Sequence, residues 1–87
     1  LVMTCAIKWS PIALKELRKL DHSVSERIVR KITVEVVPRP ETFIESLVGE
    51  DFFKIRVGDY RLFVDFSRNP DILVVRSIRH RSVAYLK

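Results

Sequence analysis

The sequence has one cysteine, Cys5, two glycines and no glutamine, and Asn69 is its single asparagine. A lone thiol closes no internal disulfide and builds no multi-thiolate metal site. So few glycines, with 47% hydrophobic and 31% charged residues, exclude collagen-like, low-complexity and disordered classes. No apolar run approaches the roughly 18 residues of a membrane-spanning helix. The opening stretch, Leu1 to Ile7, lacks the basic region of a secretory leader. These absences together lead us to expect a reducing, cytoplasmic setting.

What is present is positive charge. Sixteen Lys and Arg face eleven Asp and Glu, a net +5. An excess of this sign fits an anionic partner, and it equally serves solubility. Eighty-seven residues make one domain with one modest core, burying about 60–65% of the unfolded surface.

Periodicity orders the chain. Cys5, Ile7 and Trp9 alternate with Ala6 and Lys8 as a short half-buried strand. Ser10-Pro11 opens a helix with an N-cap oxygen and a first-turn proline. Ala13, Leu14, Leu17 and Leu20 share its inner face, and Asp21-His22 ends it. Ser23 and Glu26, three apart, read as the capping box of a second helix whose stripe is Val24, Ile28, Ile32 and Val36. Pro38 stops that helix, and residues 38–50 read as an irregular connector. The period then becomes two. Phe53, Ile55 and Val57 form one strand, Gly58-Asp59 a two-residue turn, and Tyr60, Leu62, Val64 and Phe66 the returning strand. A second turn at Asn69-Pro70-Asp71 leads to a last apolar run, Ile72 to Ile78. The expected fold is α+β, in the order β-α-α-β-β-β, with a helical hairpin on one face of a small, mainly antiparallel sheet.

A two-residue turn at Gly58-Asp59 pairs Arg56 with Arg61 and Lys54 with Phe63, all on the face away from the helices. Like charges directly opposite cost roughly 0.2–1 kcal/mol per pair. An anion between them removes that repulsion, and the planar guanidinium fork suits phosphate. Phe63 offers a base a surface for stacking. A plain solvated basic face is the competing reading. From Ile72 onward Arg76, Arg79, Arg81 and Lys87 add four positive charges and no acid, and Tyr85 brings a phenol beside them. Guanidiniums followed by an aromatic fit RNA handling; the alternative is a terminal anchor among solubilising arginines. Trp9 reads as core, and His22 as a surface or cap residue in the interhelical turn.

Taken in order, the helical hairpin, Leu47-Val48-Gly49, the run Phe53-Lys54-Ile55-Arg56-Val57-Gly58-Asp59-Tyr60-Arg61-Leu62 and the ending His80-Arg81 to Tyr85 resemble the RelE/ParE superfamily of type II toxins, within it the RelE branch. The resemblance implies a ribosome-dependent RNase that cuts mRNA in the A site and is silenced by an antitoxin. It implies further that Lys54, Arg56, Arg61, Arg79 and Tyr85 occupy active-site positions. Arg56 stands where the best-known members have lysine. Phe63, Arg76, His80 and Arg81 are candidates for holding RNA around them.

The residue types suit attack of a ribose 2′-OH on its own 3′-phosphate, which needs a base, an acid and cations for the phosphorane. In that scheme Tyr85, acting with the cationic cluster, takes the 2′-OH proton. Arg79 assists the leaving oxygen, and Lys54, Arg56 and Arg61 stabilise the transition state. A phenol with a pKa near ~10 needs such cations to become a base at neutral pH. His80 has a suitable titration range, but strand alternation turns it from its arginine neighbours. The sequence offers neither an acidic cluster nor a Cys/His set, so no metal or other cofactor is expected. Two rival functions share the fold: a ParE-type inhibitor of DNA gyrase, and an inactive antitoxin-binding co-repressor module. In each toxin reading the partner is an acidic, RelB-like antitoxin segment that folds on binding, in a hetero-oligomer that binds operator DNA through the antitoxin.

Overall fold

The computed structural model describes residues 5–84, and for Val83 and Ala84 the backbone alone. Strand β1 (Ala6–Trp9) leads into helix α1 (Pro11–Lys19) and helix α2 (His22–Arg30), which continues as a π-helical segment over Lys31–Val36. A short helix α3 (Pro40–Phe43) and a two-residue strand β2 (Glu45–Ser46) follow. Strands β3 (Phe53–Val57), β4 (Tyr60–Ser67) and β5 (Ile72–His80) then run to a terminal turn of helix, α4 (Arg81–Ala84). The sheet order is β1-β5-β4-β3-β2, antiparallel except for the parallel β1–β5 pair.

Helix α1 opens as its sequence dictates. The Ser10 hydroxyl accepts from the Ala13 amide at 3.0 Å and donates to the Arg76 carbonyl at 2.7 Å, so one side chain caps the helix and ties it to β5. Ala13 is fully buried, whereas Leu14 sits at the margin of the stripe and is exposed. The break between the helices falls at Leu20-Asp21, and α2 already begins at His22. Ser23 and Glu26 therefore lie inside α2 and form no capping box. The Ser25 hydroxyl instead donates to the His22 carbonyl at 3.1 Å.

The stripe Val24, Ile28, Ile32, Val36 packs inward as its spacing requires, with the last three fully or almost fully buried. In an α-helix a step of four residues advances about 40° around the axis. Three such steps, from Val24 to Val36, would carry the stripe off the core. The wider π turn, with the Val37 amide donating to the Ile32 carbonyl at 2.9 Å, winds it back.

The 38–50 segment is more ordered than its prolines imply. Pro40 starts α3 and is buried, and Glu45-Ser46 add a fifth strand beside β3. Gly58 takes the positive φ of 57° that the hairpin turn demands. The β3–β4 register is the one that turn implies, with Val57↔Tyr60, Arg56↔Arg61, Ile55↔Leu62 and Lys54↔Phe63. β5 extends two residues beyond Ile78, so Arg79 and His80 are strand residues paired with Arg61 and Tyr60.

The core lies between the sheet and α1–α2, with Ile55, Leu62, Val64, Leu73 and Val75 fully buried against Ile28, Ile32 and Val36. Among the described residues no helix is long and apolar enough to cross a membrane. Leu62 sits on the central strand at 0% exposure. Leu62→Ala should cost about 2–5 kcal/mol of unfolding free energy, read as a lower midpoint in urea at unchanged slope. Burial, and then the nearby Asp71 carboxylate, push the Cys5 thiol above its ordinary range. Cys5 should therefore react slowly with a thiol reagent in the native protein and promptly once urea unfolds it.

Candidate functional site: a row of arginines on the open sheet face

The register builds the site. Arg56, Arg61 and Arg79 are direct cross-strand partners on β3, β4 and β5, so three guanidinium stems stand in one row. Strands are spaced about 4.8 Å apart, which confines the three stems to roughly 10 Å. The adjacent row runs Glu45, Lys54, Phe63, Ser77. Inward-facing Val75 and Ile78 are separated by two residues, Arg76 and Ser77, because β5 carries a bulge opposite Phe63 and Val64. That extra residue sets Arg79 opposite Arg61.

Carboxylates partly balance the row. Glu45 on the edge strand lies 4.0 Å from the Lys54 ammonium and 3.6 Å from Arg56 Nε. Lys54 is largely covered, with 14% of its side chain exposed, whereas Arg56 is open. Asp59 in the hairpin turn sits 4.0 Å from Arg81 Nε, and its carbonyl accepts from the Arg81 amide at 2.8 Å. Glu16 of α1 holds Arg79. Among the described residues, five cations stand here with three carboxylates.

The expected residues divide into groups. Arg56, Arg61 and Arg81 line one cleft of about 400 Å³ together with Gly58, Tyr60 and Ser82. Arg79 lines a neighbouring hollow of about 340 Å³ with Glu16, Tyr60 and His80. Phe63 meets Phe52 edge-on at 5.7 Å, and Arg76 lies over the Phe52 ring at 4.8 Å while facing Asp65 at 3.5 Å. Arg76 thus belongs to an aromatic patch beside the arginine row. His80 stacks edge-on against Tyr60 at 5.2 Å, and its Nδ1 accepts from the Ser82 amide at 3.2 Å. The ring thereby caps the turn that carries Arg81. His22 is exposed and Trp9 packs at the margin of the core. Tyr85 lies outside the described residues.

Glu16, Glu45 and Phe52 were not among the residues expected at the site. Glu16 does leave a signal. It shares the 13, 16, 17, 20 stripe of α1, a carboxylate where the pattern calls for an apolar residue. Glu45 leaves none, because nothing in the segment announces β2. Among the described residues, no group of three His, Cys, Asp or Glu is placed to hold a metal ion.

A family model described as the ParE toxin of the type II toxin–antitoxin system parDE matches residues 7–85. The chain belongs to the RelE/ParE superfamily of type II toxins. Among solved structures, the toxin of the RelBE2 toxin–antitoxin complex from Mycobacterium tuberculosis superposes with a TM-score of 0.83 at 21% identity, over 90% of this chain and 99% of that one. A doubly substituted E. coli RelE in its free state gives 0.73 at 30% identity, covering 97% and 90%. The intact E. coli RelBE complex gives 0.68 at 32% identity, covering 87% and 95%. No protein of curated function matches the sequence at a significant level. The likeness to E. coli RelE sets this toxin on the RelE branch, with the α+β fold expected of it.

If the open face takes phosphate, its affinity for a short single-stranded RNA follows its charge. Arg56→Ala should weaken binding and reduce the log–log salt slope by about 0.7. Glu45→Gln, which frees Lys54 and Arg56, should tighten binding severalfold. Fluorescence anisotropy across a salt series reads both, and two unchanged affinities would remove this face as a phosphate site.

Proposed function

We propose that this RelE-branch toxin is a ribosome-dependent, metal-independent endoribonuclease that cuts mRNA in the A site and so inhibits translation. The observation that carries the reading is the cross-strand row Arg56, Arg61, Arg79, with Lys54 beside it, on the sheet face that the helices leave open. A row of like charges is unfavourable for folding alone and becomes favourable around a phosphorane.

In the proposed reaction the ribose 2′-oxygen attacks the adjacent phosphorus and the P–O5′ bond breaks. The products are a 2′,3′-cyclic phosphate and a 5′-hydroxyl. Tyr85 as its phenolate takes the 2′-OH proton, and Arg79 hydrogen-bonds the departing 5′ oxygen, which takes a proton from water; the hydroxide left returns Tyr85 to the phenolate. Lys54, Arg56 and Arg61 bear the charge that develops on the non-bridging oxygens. Phe63, Arg76, His80 and Arg81 guide the strand: Phe63 through its aromatic patch with Phe52 and Arg76, Arg81 across the cleft, and His80 by holding the turn in which Arg81 sits. Among the described residues the row presents cations and no strong base, and in this reading the ribosome is needed to bend the mRNA into the attacking geometry.

The partner that silences the toxin is a RelB-like antitoxin, as in the toxin–antitoxin complexes it resembles, and the pair binds operator DNA through the antitoxin. Both act in the cytoplasm, where ribosomes and mRNA are. The ParE description of the matching family model supports one other reading, inhibition of DNA gyrase.

Primer extension on a defined mRNA, in programmed ribosomes with an empty A site, separates the two. Wild-type protein should produce a stop within the A-site codon. Arg79→Ala should slow its appearance by about 10²–10³-fold, and naked RNA should be cut little. Folded wild-type protein that leaves the mRNA intact but blocks supercoiling by gyrase would replace the nuclease reading with the other.

A further inference from the structure

β1 ends at Trp9, paired with Val75, while β5 continues to His80. The last third of β5 therefore has an unpaired edge, and the amide of Ile78 points into it. An unmatched amide beside a core residue is costly. The Glu16 carboxylate of α1 fills that place, its Oε1 accepting from the Ile78 amide at 2.7 Å. Its other oxygen, Oε2, accepts from Arg79 Nη1, which also donates to the Ile78 carbonyl at 3.0 Å. One carboxylate thus closes a sheet edge and grips the neighbouring guanidinium.

The grip has a direction. Strand alternation sends the Arg79 stem from the open face, and Glu16 draws its Nη1 around the β5 edge toward α1. Among the described residues Arg79 donates through Nη1, and the Nε–Nη2 edge of the fork is the one suited to a bidentate phosphate. Glu16 is itself fixed on the inner stripe of α1, between buried Ala13 and partly buried Leu20, and that helix is tied to β5 through Ser10. A long flexible side chain is thereby presented in one orientation, with its ordering cost met in the folded protein instead of on binding.

We infer that Glu16 is a positioning residue for Arg79, orienting its guanidinium toward the scissile phosphate. The inference rests on the nuclease reading for its consequence and on geometry alone for the contact. Glu16→Gln separates the two duties, because the amide oxygen of glutamine still accepts from Ile78 while the anionic grip on Arg79 is lost.

Two measurements decide it. Nitrogen-15 NMR of the arginine side chains should show hindered rotation about the Arg79 guanidinium bonds in wild type and free averaging in Glu16→Gln. Ribosome-dependent cleavage by Glu16→Gln should fall about ten- to a hundredfold in kcat at nearly constant KM, with the urea midpoint little changed. In an Arg79→Ala background, Glu16→Gln should cause no further loss, since it acts through the missing guanidinium. Arg79 rotation identical in wild type and Glu16→Gln would overturn the inference whatever the activity. So would equal rate losses in the presence and absence of Arg79, which would mark Glu16 as structural. Hindered Arg79 in a wild-type protein that cuts nothing would overturn the nuclease reading while leaving the contact standing.

Discussion

The constraint on which the rest depends is the cross-strand register of β3, β4 and β5. A slip of one residue in any pair would turn Ile55, Leu62 or Ile78 to solvent and bring an arginine into the core. Two local devices hold it. Gly58 accepts the positive φ of a two-residue turn, and the bulge in β5 absorbs one residue between Val75 and Ile78. The pattern that buries the core is therefore the same pattern that aligns Arg56, Arg61 and Arg79. Stability and charge placement are two faces of one sheet, and the hydrophobic face enforces an arrangement that the basic face alone would resist.

That resistance is relieved in part by carboxylates. Glu45 serves the β3 end of the basic face, Asp59 the hairpin turn and Glu16 the β5 edge. Each carboxylate comes from a different element, and each sits at the periphery of the row. These pairs steady the β3 and β5 ends of the row. Such exposed pairs contribute little to stability. Their effect is on where the side chains rest before an anion arrives, which bears on affinity and rate more than on folding.

The helical hairpin, the β3–β4 register and the basic open face were legible in the sequence because each rests on local pattern. The spacing of four from Val24 to Val36 marks a stripe, and Gly58-Asp59 marks a turn. What escaped depends on contacts distant in sequence or on a break in period. The capping box at Ser23 and Glu26 is a valid local signal overridden by an earlier helix start at His22. Strand β2 exists because β3 offers an edge to Glu45-Ser46, and two residues carry no period of their own. The bulge was written in the three-residue step from Val75 to Ile78, which a strict alternation of two cannot accommodate. The apolar run ends at Ile78, two residues before β5 does.

Glu16 shows how such signals are best used. Among Ala13, Leu17 and Leu20 it is a carboxylate on a stripe that faces the sheet. Half-buried charge persists where it is paired and hydrogen-bonded. An acid on an inner stripe thus implies a donor on the surface it meets, and the unpaired end of β5 supplies two, an amide and a guanidinium. The parallel β1–β5 pair is what leaves that end open, since β1 stops at Trp9 so that the chain can turn into α1. The short first strand, the misplaced acid and the tethered arginine are consequences of one topological fact. In this fold the element that covers the core also reaches around the sheet edge to the face where the chemistry is proposed to occur.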